Sequence, residues 1–302
     1  MRLHTFRHMI LLVAIQSLAI SAYADTVGIG TAAPFAVLGE AGVTNTGASV
    51  IYGSVAGSIS TSTVSGLSSP PSAPAPGTVL PPGVLYSAGV ASGVGFPFGD
   101  ALTAYNDIAG EAPGTPLAAG FLTGATLTPG VYTVASSTTF DLSAGGVLTL
   151  DAQGHSNATW VIIMSTSLLT GSGSIVDVIN GGTAGSPFTG SITWEAPTGA
   201  ILGTTTSFLG TILSDAGDVV KTGATIGCGR VISLDASVTL DTNVIDTPLD
   251  CTVVTVGTTG SHGTGAPTAG TGTIAAPEPC TFVLLLSGLI PIIGLLMYRK
   301  VS

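Results

Sequence analysis

Short runs of aliphatic and β-branched residues, separated by Gly, Thr, Asp and Asn, fill the middle of this chain. Clear examples are Val147–Asp151, Trp160–Met164, Leu168–Thr170, Ile175–Ile179, Ser191–Glu195, Ala200–Gly203, Phe208–Ser214, Val219–Lys221 and Ser237–Asp241. Runs this short between turn residues predict strands. In Ser237-Val238-Thr239-Leu240-Asp241, Val and Leu share one side while Ser, Thr and Asp share the other, as strand alternation requires. Between 191 and 247 the pattern returns at an offset of nineteen residues. Gly210–Ser214 lines up with Gly229–Ser233, Val219 with Val238, and Thr206 with Thr225; Thr204 lines up with Thr242 two turns on. Units of about 20 residues that cannot bury a face alone stack as a solenoid. The earlier segments keep looser register, so the predicted fold is a mainly β, irregular β-solenoid.

Two stretches break the strand pattern. Pro70 to Pro82 holds six prolines and predicts a loop,. After it, a helix is predicted over about 97–110, with Ala101, Leu102, Tyr105, Ile108 and Ala109 on one face,. Asp100 is placed to cap its start and Gly110 its end. Such a helix would lie along the solenoid and cover one face.

The chain ends read as addresses. Residues 1–24 form a signal peptide, with Arg2 and Arg7, an apolar run from Met9 to Ile20, and Ala22-Tyr23-Ala24 as cleavage site,; an uncleaved anchor is the alternative. The solenoid domain is assigned to 25–254 and a flexible Gly/Thr/Ala-rich linker to 255–279,. The segment 280–302 carries an apolar stretch, Thr281 to Tyr298, closed by Arg299 and Lys300. It is just long enough to span a bilayer. Pro277-Glu278-Pro279, the apolar stretch and the basic end together resemble a PEP-CTERM sorting signal. Its basic cluster is thin and Cys280 is an unusual neighbour, so a plain C-terminal membrane anchor stays open. Both readings make the protein exported and held, at least transiently, at the cell surface.

Composition narrows the function. The chain has 43 Gly, 42 Thr and 30 Ser, and 7% charged residues. From 25 to 276 the only basic side chains are Lys221 and Arg230, against fifteen acidic ones. Phosphate contacts need clustered Lys and Arg, so nucleic acid is excluded as a partner. Of the three cysteines, Cys228 and Cys251 belong to the domain. In an oxidising compartment they are expected to form a disulfide, with two buried thiols as the alternative.

The order of motifs over 35–247 resembles the bacterial and fungal ice-binding protein family of antifreeze type. Phe35–Leu38 with Val43–Gly47 resembles its opening, and Leu102–Asp107 its helix. Leu127–Tyr132 and Leu148–Gly154 resemble its central strands. Thr222–Thr225, Gly229-Arg230 and Val238–Asp241 resemble its last coils. The resemblance implies a right-handed β-solenoid of roughly triangular section with one α-helix packed alongside, no catalysis, no cofactor, no metal, and the ice crystal surface as partner.

Ice is a solid water lattice, so a protein that grips it needs a flat, rigid, evenly spaced surface. Stacked strands about 4.8 Å apart supply that. Threonine adds a methyl group and a hydroxyl. The candidate ice-binding residues are Thr204, Thr206, Thr222, Thr225, Thr239 and Thr242. Thr222-Gly223-Ala224-Thr225 and Thr123-Gly124-Ala125-Thr126 also resemble the Thr-Gly/Ala-x-Thr/Asn motif of active family members. Against them stand Ile201 and Val220, at places read as equivalent to Thr239, and the neighbouring Lys221. The same threonines also suit ordinary strands and turns.

Other chemistry has weaker support. Asp215, Asp218, Asp235 and Asp241 form the densest acidic group, which would suit Ca²⁺ or paired-carboxylate chemistry. A lyase for an anionic sugar needs more basic residues than Lys221 and Arg230. Arg230 is expected instead to satisfy backbone carbonyls or an Asp, and Trp160 and Trp194 to sit in the core. The main competitor to ice binding is a cell-surface adhesin or biofilm protein of the same fold, meeting an exopolysaccharide matrix.

Overall fold

A computed structural model describes residues 27–58, 63–71, 75–93, 95–110, 114–118, 122–135, 141–182 and 188–247. The signal peptide, the linker, Cys251 and the C-terminal segment lie outside these residues. No helix among the described residues is long and apolar enough to cross a membrane.

The chain winds into coils whose strands stack in parallel on three faces. The first face runs through Thr115–Leu117, Gly130–Val134, Thr159–Met164 and Ser191–Ala196, then residues 211–214 and 230–233, then Phe35–Gly39, Ser54–Ser58 and Leu85–Val90. The second runs through Val147–Asp151, Ile175–Ile179, residues 207–209 and 225–227, Val244–Asp246, Val50–Tyr52 and Gly77–Leu80. The third is narrower: Leu168–Leu169, Ala200–Leu202, Asp218–Val220, Ser237–Leu240, Gly42–Asn45 and Thr63–Ser65. Strands Ser207–Ser214 and Thr225–Ser233 each bend from the second face onto the first. Gly77–Leu80 is a strand inside the proline-rich stretch expected to be a loop. It is possible there because none of its four residues is proline, so its backbone N–H groups stay available for pairing.

Stacking does not follow chain order. The last coil lies on the first: Val231 pairs with Val37, Thr239 with Thr44, and Val244 with Val50. Leu85–Val90 and Thr115–Leu117 therefore end opposite edges of the first face. Eight strand spacings between them amount to roughly 38 Å. The helix Pro97–Ala109, about 20 Å long, lies in the connection that covers this distance.

The inward side chains fill a continuous core from Leu148 and Leu150 through Trp160, Ile162, Trp194, Phe208, Ile212, Ile226 and Val231 to Val37 and Ile51. Both tryptophans are fully buried, and their indole N–H groups donate to the carbonyls of Leu127 at 3.2 Å and Leu209 at 3.0 Å. The middle strands of the first face are buried on both sides, which is why Trp160–Met164 reads as an unbroken apolar run,. Its outer side (Val161, Leu213, Ile232, Leu38, Ala56) packs against Phe98, Ala101, Ala104 and Ile108 of the helix. The helix stripe thus differs from the expected one: Leu102 is 45% exposed and Ala109 is exposed. The helix begins three residues before Asp100, with Pro97 in its first turn and Phe96 as N-cap, so Asp100 lies inside it. The Asp100 carboxylate accepts from the Thr31 N–H at 2.8 Å and hydroxyl at 2.7 Å, and from the Gly95 N–H at 3.1 Å. These bonds lower its pKa, those from Thr31 foremost. Gly110 ends the helix as expected.

Candidate functional site

Five successive coils turn from the third face to the second through the same four-residue corner. The corners are 144–147, 172–175, 204–207, 222–225 and 241–244. Their second residues (Gly145, Gly173, Thr205, Gly223, Thr242) all have left-handed φ, between 56° and 71°. Glycine takes that conformation without steric cost, and Thr205 and Thr242 take it despite a branched Cβ. The N–H groups of the first four second residues donate to the first residue of the next corner: Gly145 to Ser172, Gly173 to Thr204, Thr205 to Thr222, and Gly223 to Asp241, at 2.8 to 3.1 Å. The ladder of parallel strands therefore continues around the bend.

The third corner residue points inward. Gly146, Ser174, Thr206, Ala224 and Asn243 are all buried. Thr206 is fully enclosed, its hydroxyl 3.1 Å from the Gly171 carbonyl, 3.1 Å from the Thr170 hydroxyl and 3.2 Å from that of Ser174. Asn243 donates to the carbonyls of Lys221 at 2.9 Å and Ala224 at 3.0 Å. The polar members of this inner row, Ser174, Thr206 and Asn243, brace their turns, since a buried polar group must be bonded and then holds its neighbours in place.

The first and fourth residues point outward. Ala144, Ser172, Thr204, Thr222 and Asp241 make one row, and Val147, Ile175, Ser207, Thr225 and Val244 another, in register. Val50 and Thr78 extend the second row by two strands. Together with the second residues these rows make a strip of small or β-branched side chains. Its charges are Asp241 and, just before Thr222, the exposed Lys221. Deeper in the second face, Asp151, Asp177 and Asp246 are half-buried.

The six expected threonines are divided by this geometry. Thr204, Thr222, Thr225 and Thr242 lie on the strip. Thr206 is in the core, and Thr239 lies on the third face in a row with Leu169, Ile201, Val219, Thr44 and Ser65. Val219, rather than the buried Val220, is thus the equivalent of Thr239. The misplacement of Thr206 has a definite cause. Ser207 pairs with Thr225 at an offset of eighteen, Thr211 with Arg230 at nineteen, and Val219 with Thr239 at twenty. A fixed period of nineteen puts Thr206 in the place of Ser207, and one step reverses the facing of a strand residue. Thr205 and Ser207 escaped sequence reasoning for this reason. The available signal was Thr222-Gly223-Ala224-Thr225, whose Gly and Ala mark the left-handed and inward positions.

The remaining polar groups serve the scaffold. Arg230 is buried and donates to the carbonyls of Phe35 at 3.0 Å and Ala33 at 2.8 Å and to the Thr211 hydroxyl at 3.2 Å; burial lowers its pKa to about 10. Asp218 is buried, accepting from the Ala200 N–H and the Ser214 hydroxyl, both at 2.7 Å. Its burial raises the pKa to about 7 despite those bonds. Glu195 lies beneath the helix against Tyr105, and burial raises it also to about 7; burial and that carboxylate lift Tyr105 to about 12. Among the described residues no three His, Cys, Asp or Glu side chains gather as a metal site. Cys228 is disulfide-bonded.

The fold is thus a three-faced parallel β-solenoid with a helix along one face and a repeated threonine-bearing corner. Residues 37–246 match the family described as Ice-binding-like, and the chain belongs to that family. It is 35% identical over 235 residues to an ice-binding protein of Nostoc sp. strain HG1, covering 78% of this chain and 79% of that one. An ice-binding protein of Colwellia sp. is 31% identical over 240 residues, covering 74% and 85%. Among solved structures, an ice-binding protein from an Antarctic biological consortium superposes with a TM-score of 0.59 at 30% identity, covering 75% of this chain and 93% of that one. One from the Antarctic ascomycete Antarctomyces psychrotrophicus gives 0.58 at 28%, covering 73% and 97%.

Proposed function

We propose that this protein adsorbs to ice through the corner strip and the adjoining edge of the second face, slowing ice growth or recrystallisation. The observation that carries the reading is the identical turn of five coils, which spaces short hydroxyl- and methyl-bearing side chains at the strand repeat. A planar solid can be met only by a surface that is itself periodic and stiff. Here the stiffness comes from an unbroken hydrogen-bond ladder and a bonded inner row. Threonine and serine hydroxyls share these rows with the methyls of Val147, Ile175 and Val244, so the strip both bonds water and orders it over apolar groups. Family membership supports the same reading. The two end segments add export through residues 1–24 and attachment to a membrane through 280–302, so the domain would work at the cell surface.

The test is the full-length protein added to a supercooled droplet holding a single ice crystal. Faceted growth and a gap between melting and freezing points are the expected result. Round discs at high protein concentration, with dye-labelled protein excluded from the growing solid, overturn the reading. A matrix adhesin would give those discs.

A further inference from the structure

Resting on the ice-adsorption reading, we infer that Asp241 is a positioning residue that makes Thr222 and Thr242 hydrogen-bond acceptors, so that this end of the strip takes ice-layer water whose O–H points at the protein. Three hydroxyls on three successive corners carry the inference. Thr222 donates its hydroxyl proton to Asp241 Oδ2, and Thr242 donates to Asp241 Oδ1 at 3.0 Å. Thr205 donates to the Thr204 carbonyl at 2.7 Å. An ionised carboxylate and a carbonyl can only accept, and a hydroxyl has one proton. The direction of all three bonds is therefore fixed by chemistry. All three threonines are exposed, so each oxygen can still accept from water but has no proton left to give it.

Asp241 holds two of the three. It sits in the first position of its corner, where the preceding coils have Ala144, Ser172, Thr204 and Thr222, and is half-buried. The next coil leaves it room. A Cβ on Gly47 would come within 2.1 Å of the Thr242 hydroxyl and 2.3 Å of Asp241 Oδ1, so any larger residue there would disrupt the pair. The one carboxylate on the strip thus has both oxygens engaged by the threonines it aligns. A charge that would otherwise hold water in its own geometry becomes part of the row.

Four full-length variants separate the possibilities, each read by freezing hysteresis, by the ice facet on which labelled protein collects, and by melting temperature. Asp241→Asn keeps the shape but offers an NH₂ to one threonine, releasing that proton toward water. Asp241→Ala releases both. Each is expected to cut hysteresis about twofold or more, as loss of an oriented hydrogen bond implies, and Asp241→Asn to shift the decorated facet, with the fold retained. Thr222→Ser keeps the acceptor and loses the methyl; Thr222→Val keeps the methyl and loses the acceptor. The serine variant is expected to stay more active than the valine one. If Asp241→Asn matches an active wild type in hysteresis and facet, or if Thr222→Val equals or exceeds Thr222→Ser, the positioning role is overturned while the strip survives. An inert wild type overturns the ice reading itself, and this inference with it.

Discussion

The Arg230 guanidinium donates through Nε to the carbonyl of Phe35 at 3.0 Å, across 195 residues of chain. With its bonds to Ala33 and Thr211, it ties the last coil to the first. The seam it closes is where the stack departs from chain order. Arg230→Met would leave two carbonyls without their charged donor. A loss of about 3 kcal/mol in unfolding free energy is expected, measured by urea titration. An unchanged midpoint would mean that the seam holds without it.

Stability is expected to fall as pH rises through neutrality. Glu195 and Asp218 have folded pKa values raised to about 7, from ordinary values of 4.5 and 3.8. A raised carboxyl favours the protonated folded state, so its contribution is full below the unfolded pKa and lost as pH climbs through about 7. Melting temperature should decline between about pH 4 and 8, and Glu195→Gln should flatten part of that slope. A melting temperature that rises over this range would contradict the assignment.

Two threonines that coincide in the nineteen-residue alignment but stand one place apart in the observed register should behave oppositely. Thr206→Val removes a buried hydroxyl bonded to Gly171 and should cost about 1–2 kcal/mol of stability with ice shaping intact. Thr225→Tyr should abolish ice shaping and leave the melting temperature in place. Thr239→Tyr, on the neighbouring face, should do neither. The three variants are compared by crystal habit and thermal melting side by side.

Gly223 lies between Thr205 and Thr242 in the left-handed row, at φ 71°. A Cβ there meets only the Thr205 methyl, at 3.4 Å. Gly223→Thr would complete three consecutive threonines. It should cost about 1–2 kcal/mol through the left-handed backbone alone and raise hysteresis. A drop in both quantities would show that the corner is not the contact.

The helix and little of the corner could be read from residues. Gly110 and the apolar pattern located the helix, and Ile108 its buried side. Leu102 misled because its neighbours in space are solvent, which local periodicity does not reveal. At the corner, Thr222-Gly223-Ala224-Thr225 stated the rule, while Thr204-Thr205-Thr206-Ser207 hid it behind four hydroxyl residues of similar propensity.

The strand runs, the alternation that sends Val238 and Leu240 inward, the helix and the family are legible in the order of residues. Which threonines face out together is not, and depends on how the coils stack. Register is set by hydrogen bonds between coils far apart in the chain, and offsets of eighteen, nineteen and twenty alternate as bends add or drop a residue. A change of one residue reverses a side chain's facing. The outward row is therefore a property of the stacked coils, including the last one folded onto the first.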